Sequence, residues 1–424
     1  MEPATFSLFV RSYPPNRSYF VAAGLQDVLE FLEQFNVDSA GIDYLHARRM
    51  FTDDFLDFLR GVKFTGAVWA VPEGRLVFKD EPFLEVTAPI IEAQIVETFI
   101  INQINFQSLI ATKASRCVHA ARGRAVVDFS LRRTHGIDAG MKVARSSYLG
   151  GFAGTSNVKA GQEYGIPIVG TMAHSFVSSF EQEIDAFRAF VASFPNNSIL
   201  LIDTYDTLAG ARKAVEIAKE MAAKGERLQG VRIDSGDLGK LAIEVRKIFD
   251  EAGLEYVKII GSGGLDEFDL AEFSAANIPY DSYGVGTKMG VSADAPWFDI
   301  AYKLVEYDGR PVLKLSTGKV SLPGKKQLFR LPDHRHQLQN DIIGLREETV
   351  SAAEPLLKKV MEKGKIIVPM PSLQEVRSMF LDEFQQLPNA IKEIRDPANY
   401  PVKFTPRLTA LREEIEQKTS RTSS

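Results

Sequence analysis

The middle of the chain alternates between short apolar runs and amphipathic stretches. AVVDFS (125–130), IPIVGTMA (166–173), SILLID (198–203), GVRID (230–234), YVKIIGSG (256–263) and YDSYGVGT (280–287) have strand length and strand composition. Residues 136–149, 176–193, 207–224, 237–252 and 266–276 carry helical spacing between them. That rhythm predicts a parallel sheet or a βα barrel rather than an all-β fold. On the N-terminal side, 5–10 and 62–88 read as strands, broken by the turn Pro72-Glu73-Gly74. Residues 24–60 read as helical, with Leu25, Val28, Leu29 and Leu32 on one face. A helix of about five turns is expected from Pro89 toward Ala114. Beyond 301 the pattern returns to strands and turns, then to helices near 371–385 and 405–417 with a frayed tail, 418–424. No fixed-period repeat is visible.

Composition narrows the class. The 424 residues are 45% hydrophobic and 25% charged, which is ordinary for a globular protein of two or three domains. A net charge of −5 argues against nucleic acid as a partner. The longest apolar run, IIEAQIVETFII (90–101), is interrupted by Glu92, Gln94 and Glu97, so no membrane span is expected. The single cysteine, Cys117, rules out a disulfide framework and points to the cytoplasm.

The candidate chemistry gathers where strands end. GTMAHSF (170–176) releases Thr171, His174 and Ser175, and GVRIDSGDL (230–238) releases Arg232, Asp234, Ser235 and Asp237. Arg232 and Asp234 alternate across Ile233 and so share a face of their strand. They are either a structural ion pair or a guanidinium for a substrate carboxylate beside a carboxylate for ribose hydroxyls. Asp203 ends its strand and is weighted toward the site, whereas Asp206 or Thr207 reads as a helix cap. His174 is one of six histidines, at a strand-to-helix junction that suits either a structural or a covalent role. GSGG (261–264) and GVGT (284–287) follow consecutive strands. They are ordinary glycine turns or a paired cradle in which backbone N–H groups and Thr287 approach a phosphate. SLRRTHG (130–136) offers Arg132 or Arg133, not both, to an anion. The loop LKLSTGKVSLPGKKQLFR (313–330), with Lys314, Lys319, Lys325 and Lys326, is a solvated run or part of a polyphosphate pocket.

Taken together with FSLFVR (6–11), VAAGL (21–25), SYLGGFAGTSNVKAG (147–161), IDTYDT (202–207), PSLQEVR (371–377) and ANYPVKF (398–404), these segments resemble the nicotinate phosphoribosyltransferase family. The resemblance covers nearly the whole chain, and its strength lies in the ordered set, since each motif alone is weak. It implies an α/β protein in three parts: an N-terminal α+β sandwich domain over 1–114, an irregular, TIM-like βα barrel over 115–300, and return strands with a helical C-terminal region over 301–424. It implies that nicotinate and phosphoribosyl pyrophosphate give nicotinate mononucleotide and pyrophosphate, with coupled ATP hydrolysis in a ligase-type reaction, and that Mg2+ accompanies the phosphorylated substrates. By the same resemblance His174 is the histidine phosphorylated from ATP, Thr171 and Arg232 contact nicotinate, and Thr287 contacts phosphate. Gly263, Gly264 and Gly286 cradle the 5-phosphate, Asp203 and Asp234 surround the ribose and magnesium pyrophosphate, and Lys314 and Lys319 are donated across a homodimer.

Two positions refine the expectation. Related nicotinamide-using enzymes carry Gly-Thr-Asp where this chain has Gly154, Thr155 and Ser156. An aspartate there accepts from an amide and repels a carboxylate, so Ser156 favours nicotinate. The family also begins with a segment like Leu-Thr-Asp-Leu-Tyr-Gln, whereas here Met1 stands only four residues before Thr5. The expectation is that Met1 is an internal methionine of a longer protein; the other reading is a chain without that tyrosine-bearing wall. The rival functions are a nicotinamide- or quinolinate-using sister enzyme and a non-catalytic nucleotide-binding homologue.

Overall fold

The computed structural model describes residues 1–314, 321–334 and 337–422. The chain divides into two compact units, one of Met1–Ala111 with Trp297–Ser424 and one of Thr112–Pro296. Residues 301–424 therefore fall in the same unit as the N-terminal residues. No helix among the described residues is long and apolar enough to cross a membrane.

The first unit is built on a seven-stranded antiparallel sheet. Pro3–Val10 lies inside it, paired with Pro82–Pro89 on one side and Ile300–Tyr307 on the other. Leu8 stands opposite both Leu84 and Tyr302. Seven of the eight residues of that strand are buried, the polar Thr5 and Ser7 among them, so both faces of the strand are covered. The helix Leu25–Gln34 buries Leu25, Val28, Leu29 and Leu32, the expected stripe. The helical stretch 24–60 is three helices, Leu25–Gln34, Ser39–Arg48 and Asp53–Arg60. The stretch after Pro89 is two, Ile90–Ile95 and Glu97–Ala120.

The second unit carries six parallel strands in the order Gly154–Thr155, Ala125–Asp128, Ser282–Val285, Lys258–Gly261, Gly230–Ile233 and Ile199–Leu201. Helices return the chain after each of the longer strands, and their caps follow the sequence. Asp206 accepts from the Ala209 N–H at 2.7 Å, Asp237 caps Leu238–Glu251, and Asp266 with Asp269 forms a reciprocal capping box on Glu267–Ala275.

Two expectations change. The strand expected at 166–173 is reduced to a single parallel bridge from Ile168 to Thr155. Pro167 has no N–H to give, and Ile168 is 60% exposed, so neither ladder nor burial sustains a strand. The helix expected at 176–193 is two, His174–Ser178 and Glu183–Ser193. At the break, Ser178 Oγ donates to the His174 carbonyl at 2.9 Å and Ser179 Oγ to the Phe176 carbonyl at 2.7 Å. Such side chains compete for helical acceptors. His174 thereby opens its own short helix.

Candidate active site

The carboxyl ends of the parallel strands open into a cavity of about 710 Å³. Five strands send their following residues into its wall. Phe129, Leu131 and Arg132 come after Ala125–Asp128, and Ser156 after Gly154–Thr155. Arg232 and Asp234 come from the end of Gly230–Ile233. Gly263 and Gly264 follow Lys258–Gly261, and Gly286 and Thr287 follow Ser282–Val285. The segment from Gly170 to Ser175, with Thr171 and His174, closes another side.

Arg232 and Asp234 do share a face, because Ile233 between them points into the core and is fully buried. The Arg232 guanidinium donates through Nη2 to the Met172 carbonyl at 3.1 Å, and its Nη1 stands 3.5 Å from Asp234 Oδ1. It lies over the Phe129 ring, 5.8 Å from the centroid. Its Nε is buried without a hydrogen-bond partner. Burial pushes this guanidinium below its usual range while Asp234 and Asp203 pull it back up. It is still a cation at neutral pH, with donor capacity that the protein does not use.

Asp234 is held from three sides. Ser262 Oγ donates to its Oδ1 at 2.6 Å, Arg232 flanks the same oxygen, and its own N–H donates to Asp203 Oδ2 at 3.0 Å. Asp203 also accepts from Ser235 Oγ at 2.5 Å. Asp203 is buried and does not line the cavity; it braces the turn that carries Asp234. His174 Nδ1 lies 3.2 Å from Thr204 Oγ1, and its Nε2 lies 3.9 Å from Asp234 Oδ2. Nε2 is thus the ring nitrogen without a close protein partner.

The two last glycines of GSGG differ in what demands glycine. Gly263 has φ +100°, and a Cβ there would sit 1.9 Å from the Asp234 carbonyl oxygen. Gly264 has φ +71° with nothing within 4 Å of a Cβ, so its face is open. Thr171 Oγ1 turns to the Met172 carbonyl at 3.3 Å. Of the two arginines of SLRRTHG, Arg132 lines the cavity and Arg133 does not.

The lysine loop behaves otherwise. Lys326 is buried, its ammonium 2.9 Å from Glu85 and 2.7 Å from the Gly324 carbonyl, and Lys325 pairs with Glu306 at 2.7 Å. These two are fold residues of the first unit. Lys314, exposed in that same unit, gives its backbone N–H to Ser321 Oγ at 3.0 Å, and Lys319 lies outside the described residues.

Sequence reasoning missed Phe129, Ser262 and Thr204, which become neighbours of named residues only through the sheet. It also missed Asp128, whose alternation in AVVDFS gave no sign of use. Asp128 is buried, and burial raises its carboxyl pKa against hydrogen bonds from Ser130 and Thr155. Its two oxygens accept from the Ser130 N–H and the Thr155 hydroxyl, each at 2.8 Å, tying the Arg132 loop to the strand before Ser156. Asp128→Ala leaves two buried donors unsatisfied at about 1–3 kcal/mol each. For a unit of this size the expected fall in Tm is roughly 5–15 °C, checked by thermal denaturation.

A site on the carboxyl edge of parallel strands, assembled from the ends of several of them, is the construction of an α/β enzyme. Comparison with known proteins then specifies which. Family models described as the nicotinate phosphoribosyltransferase N-terminal domain, family and C-terminal domain match residues 1–105, 124–337 and 349–412. Nicotinate phosphoribosyltransferase pncB2 of Mycobacterium tuberculosis is 48% identical over 407 residues, covering 96% of this chain and 87% of the relative. Nicotinate phosphoribosyltransferase of Bacillus subtilis is 37% identical over 431 residues, covering 94% of this chain and 87% of its own length. The crystal structure of human nicotinic acid phosphoribosyltransferase superposes with a TM-score of 0.88 at 30% identity, over 98% of this chain and 96% of that one. The chain belongs to the nicotinate phosphoribosyltransferase family.

Proposed function

We propose that this chain makes nicotinate mononucleotide and pyrophosphate from nicotinate and phosphoribosyl pyrophosphate, the entry of nicotinate into NAD salvage. The nicotinate ring nitrogen forms a bond to ribose C1 as the C1–O bond to pyrophosphate breaks, and pyrophosphate leaves with the electron pair. The observation that carries this reading is one cavity holding an arginine whose Nε is buried and unpaired, a braced carboxylate, a histidine and two adjacent glycine loops.

In this reading Arg232 takes the nicotinate carboxylate, with Thr171 and Ser156 beside the ring. The backbone of Gly263, Gly264 and Gly286, with Thr287, takes the 5-phosphate. Asp234 faces the ribose and stabilises the positive charge that develops at C1 as the bond breaks. Asp203 acts through Asp234. Arg132 faces the pyrophosphate. Magnesium enters with that pyrophosphate as part of the substrate; among the described residues no group of three or more His, Cys, Asp or Glu is gathered to hold a metal.

The coupling to ATP belongs to the same proposal. His174 Nε2 forms a bond to the γ-phosphorus of ATP as the bond to the bridging oxygen breaks and ADP leaves with the electron pair. The added negative charge beside the pyrophosphate reorganises the pocket toward tighter substrate binding. Water then cleaves the phosphohistidine to orthophosphate, restoring the free imidazole. A cytoplasmic homodimer, with Lys314 and Lys319 reaching the partner's cavity, completes the reading on the strength of the family resemblance. The test is pyrophosphate release with phosphoribosyl pyrophosphate, magnesium and either nicotinate, nicotinamide or quinolinate, with and without ATP. Release with nicotinate, stimulated by ATP, is expected, and His174→Ala is expected to keep basal release while losing the stimulation. Release with another base only, or no release at all, overturns the assignment. Stimulation that survives in His174→Ala removes the phosphohistidine.

A further inference from the structure

The two glycine loops come from neighbouring strands, but strand pairing between them stops early. Lys258–Gly261 and Ser282–Val285 pair at Ile260 with Ser282 and at Gly261 with Tyr283. Past those pairs each loop runs on by itself toward its own helix. The Gly263–Gly264 loop enters Glu267–Ala275, and Gly286 enters the short helix Thr287–Gly290. A cradle made of two such loops has the right width for a phosphate only if something holds them at a set separation.

Lys288 is placed to do this. It follows Thr287 directly, yet it does not line the cavity. Its ammonium reaches across to the other loop's helix, 3.0 Å from Asp266 Oδ2 and 3.2 Å from Asp269 Oδ2. Those two carboxylates are the reciprocal capping box. Asp266 accepts from the N–H groups of Phe268 and Asp269 at 3.0 and 3.3 Å, and Asp269 accepts from the Asp266 N–H at 2.9 Å. Two carboxylates this close repel one another, and Lys288 is the cation that bridges them. The same helix start is fixed from its buried side, where Glu267 meets Lys113 and Arg116. Lys113 also reaches Asp294 at 2.7 Å, in the loop after Thr287–Gly290. Both loops are thus tied to one polar framework, with Lys288 as its outer, half-exposed clasp.

We infer that Lys288 is a positioning residue for the phosphate cradle: it sets the separation of the Gly263–Gly264 and Gly286–Thr287 loops and thereby the affinity for the 5-phosphate of the phosphoribosyl substrate. The inference rests on the function proposed above. A dislocated cradle weakens a contact by misplacing donors rather than by removing one, so the loss falls on one substrate. In the proposed function nicotinate is held by Arg232, which belongs to Gly230–Ile233 and to neither glycine loop.

The experiment is steady-state kinetics on the full chain with both substrates varied, for the unmodified protein, Lys288→Met, Lys288→Arg and Asp269→Asn. Lys288→Met is expected to raise KM for phosphoribosyl pyrophosphate about tenfold while KM for nicotinate changes less than twofold. Lys288→Arg, which keeps the charge and reach, is expected to restore most of it. Combining Lys288→Met with Asp269→Asn relieves the carboxylate repulsion and is expected to recover part of the loss. If Lys288→Met unfolds, Asp269→Asn alone still loosens one anchor and is expected to raise the same KM about two- to threefold. Equal changes in both KM values, a loss Lys288→Arg does not rescue, or a KM for phosphoribosyl pyrophosphate within twofold of the unmodified protein overturns the clasp. Failure of the unmodified protein to release pyrophosphate overturns the function instead, so the two failures are distinguishable.

Discussion

Arg232→Met is expected to lower kcat/KM for nicotinate by about 30- to 3,000-fold. Arg232 is only 12% exposed, and its charge is compensated by Asp234 on one side and the Met172 carbonyl on the other. Removing it deletes the partner proposed for the nicotinate carboxylate and leaves Asp234 without its cation. Truncating one member of a buried, hydrogen-bonded charge pair costs about 2–5 kcal/mol, and each 1.4 kcal/mol is about a factor of ten. Arg232→Lys keeps a positive charge but not the planar fork, so it is expected to fall between the two. Kinetics with nicotinate varied at saturating phosphoribosyl pyrophosphate measure this. A change under about threefold in Arg232→Met would mean that the carboxylate is bound elsewhere.

The second large effect is expected at Gly263. A methyl group there meets the Asp234 carbonyl oxygen at 1.9 Å and the Asp234 carbonyl carbon at 2.8 Å, and both are backbone atoms that no rotamer change can move aside. The left-handed φ adds about 1–2 kcal/mol for any residue with a Cβ, and overpacking adds about 1–3 kcal/mol. Gly263→Ala is therefore expected to lower Tm by roughly 5–20 °C and to displace Asp234, with activity lost along with stability. Gly264→Ala is the informative contrast. Its Cβ meets nothing within 4 Å, so it carries only the backbone strain and a Tm loss of a few degrees, roughly 2–6 °C. Its methyl group instead points into open space in the proposed cradle, and KM for phosphoribosyl pyrophosphate is expected to rise. Thermal melts and kinetics on the pair check the ranking; equal melting losses would show that the loop yields where the backbone contact says it does not.

How legible was this site in the sequence? Arg232 and Asp234 were readable as a pair because a strand alternates with period two, and that local rule survives any tertiary arrangement. The helix cap at Asp206 was equally local, since it satisfies a backbone donor within its own first turn, and Asp237, offered by the sequence as a strand-end group, is a cap of the same kind. Where local chemistry competed with itself, the reading slipped. Ser178 and Ser179 break a helix that apolar spacing extended through them, and Pro167 thins an apolar run to one bridge. Lys326 looked like part of a solvated loop, and only the approach of Glu85, far away in sequence, makes it a buried ion pair.

By itself, then, the sequence determined the alternation of strand and helix, the polar residues that strand ends release, and, through its ordered motifs, the family. Each of these depends on neighbours within a few residues or on an order along the chain. Tertiary structure alone decided which released groups meet. The strand order, with Ser282–Val285 inserted between Ala125–Asp128 and Lys258–Gly261, brings Phe129 under Arg232 and sets the two glycine loops side by side. Parallel pairing of strands distant in the chain is a long-range choice, made by burial of their apolar faces. Asp203 as a brace, Asp128 as a tie and Lys288 as a clasp exist only once that choice is made, because each acts on a partner that local sequence does not place beside it.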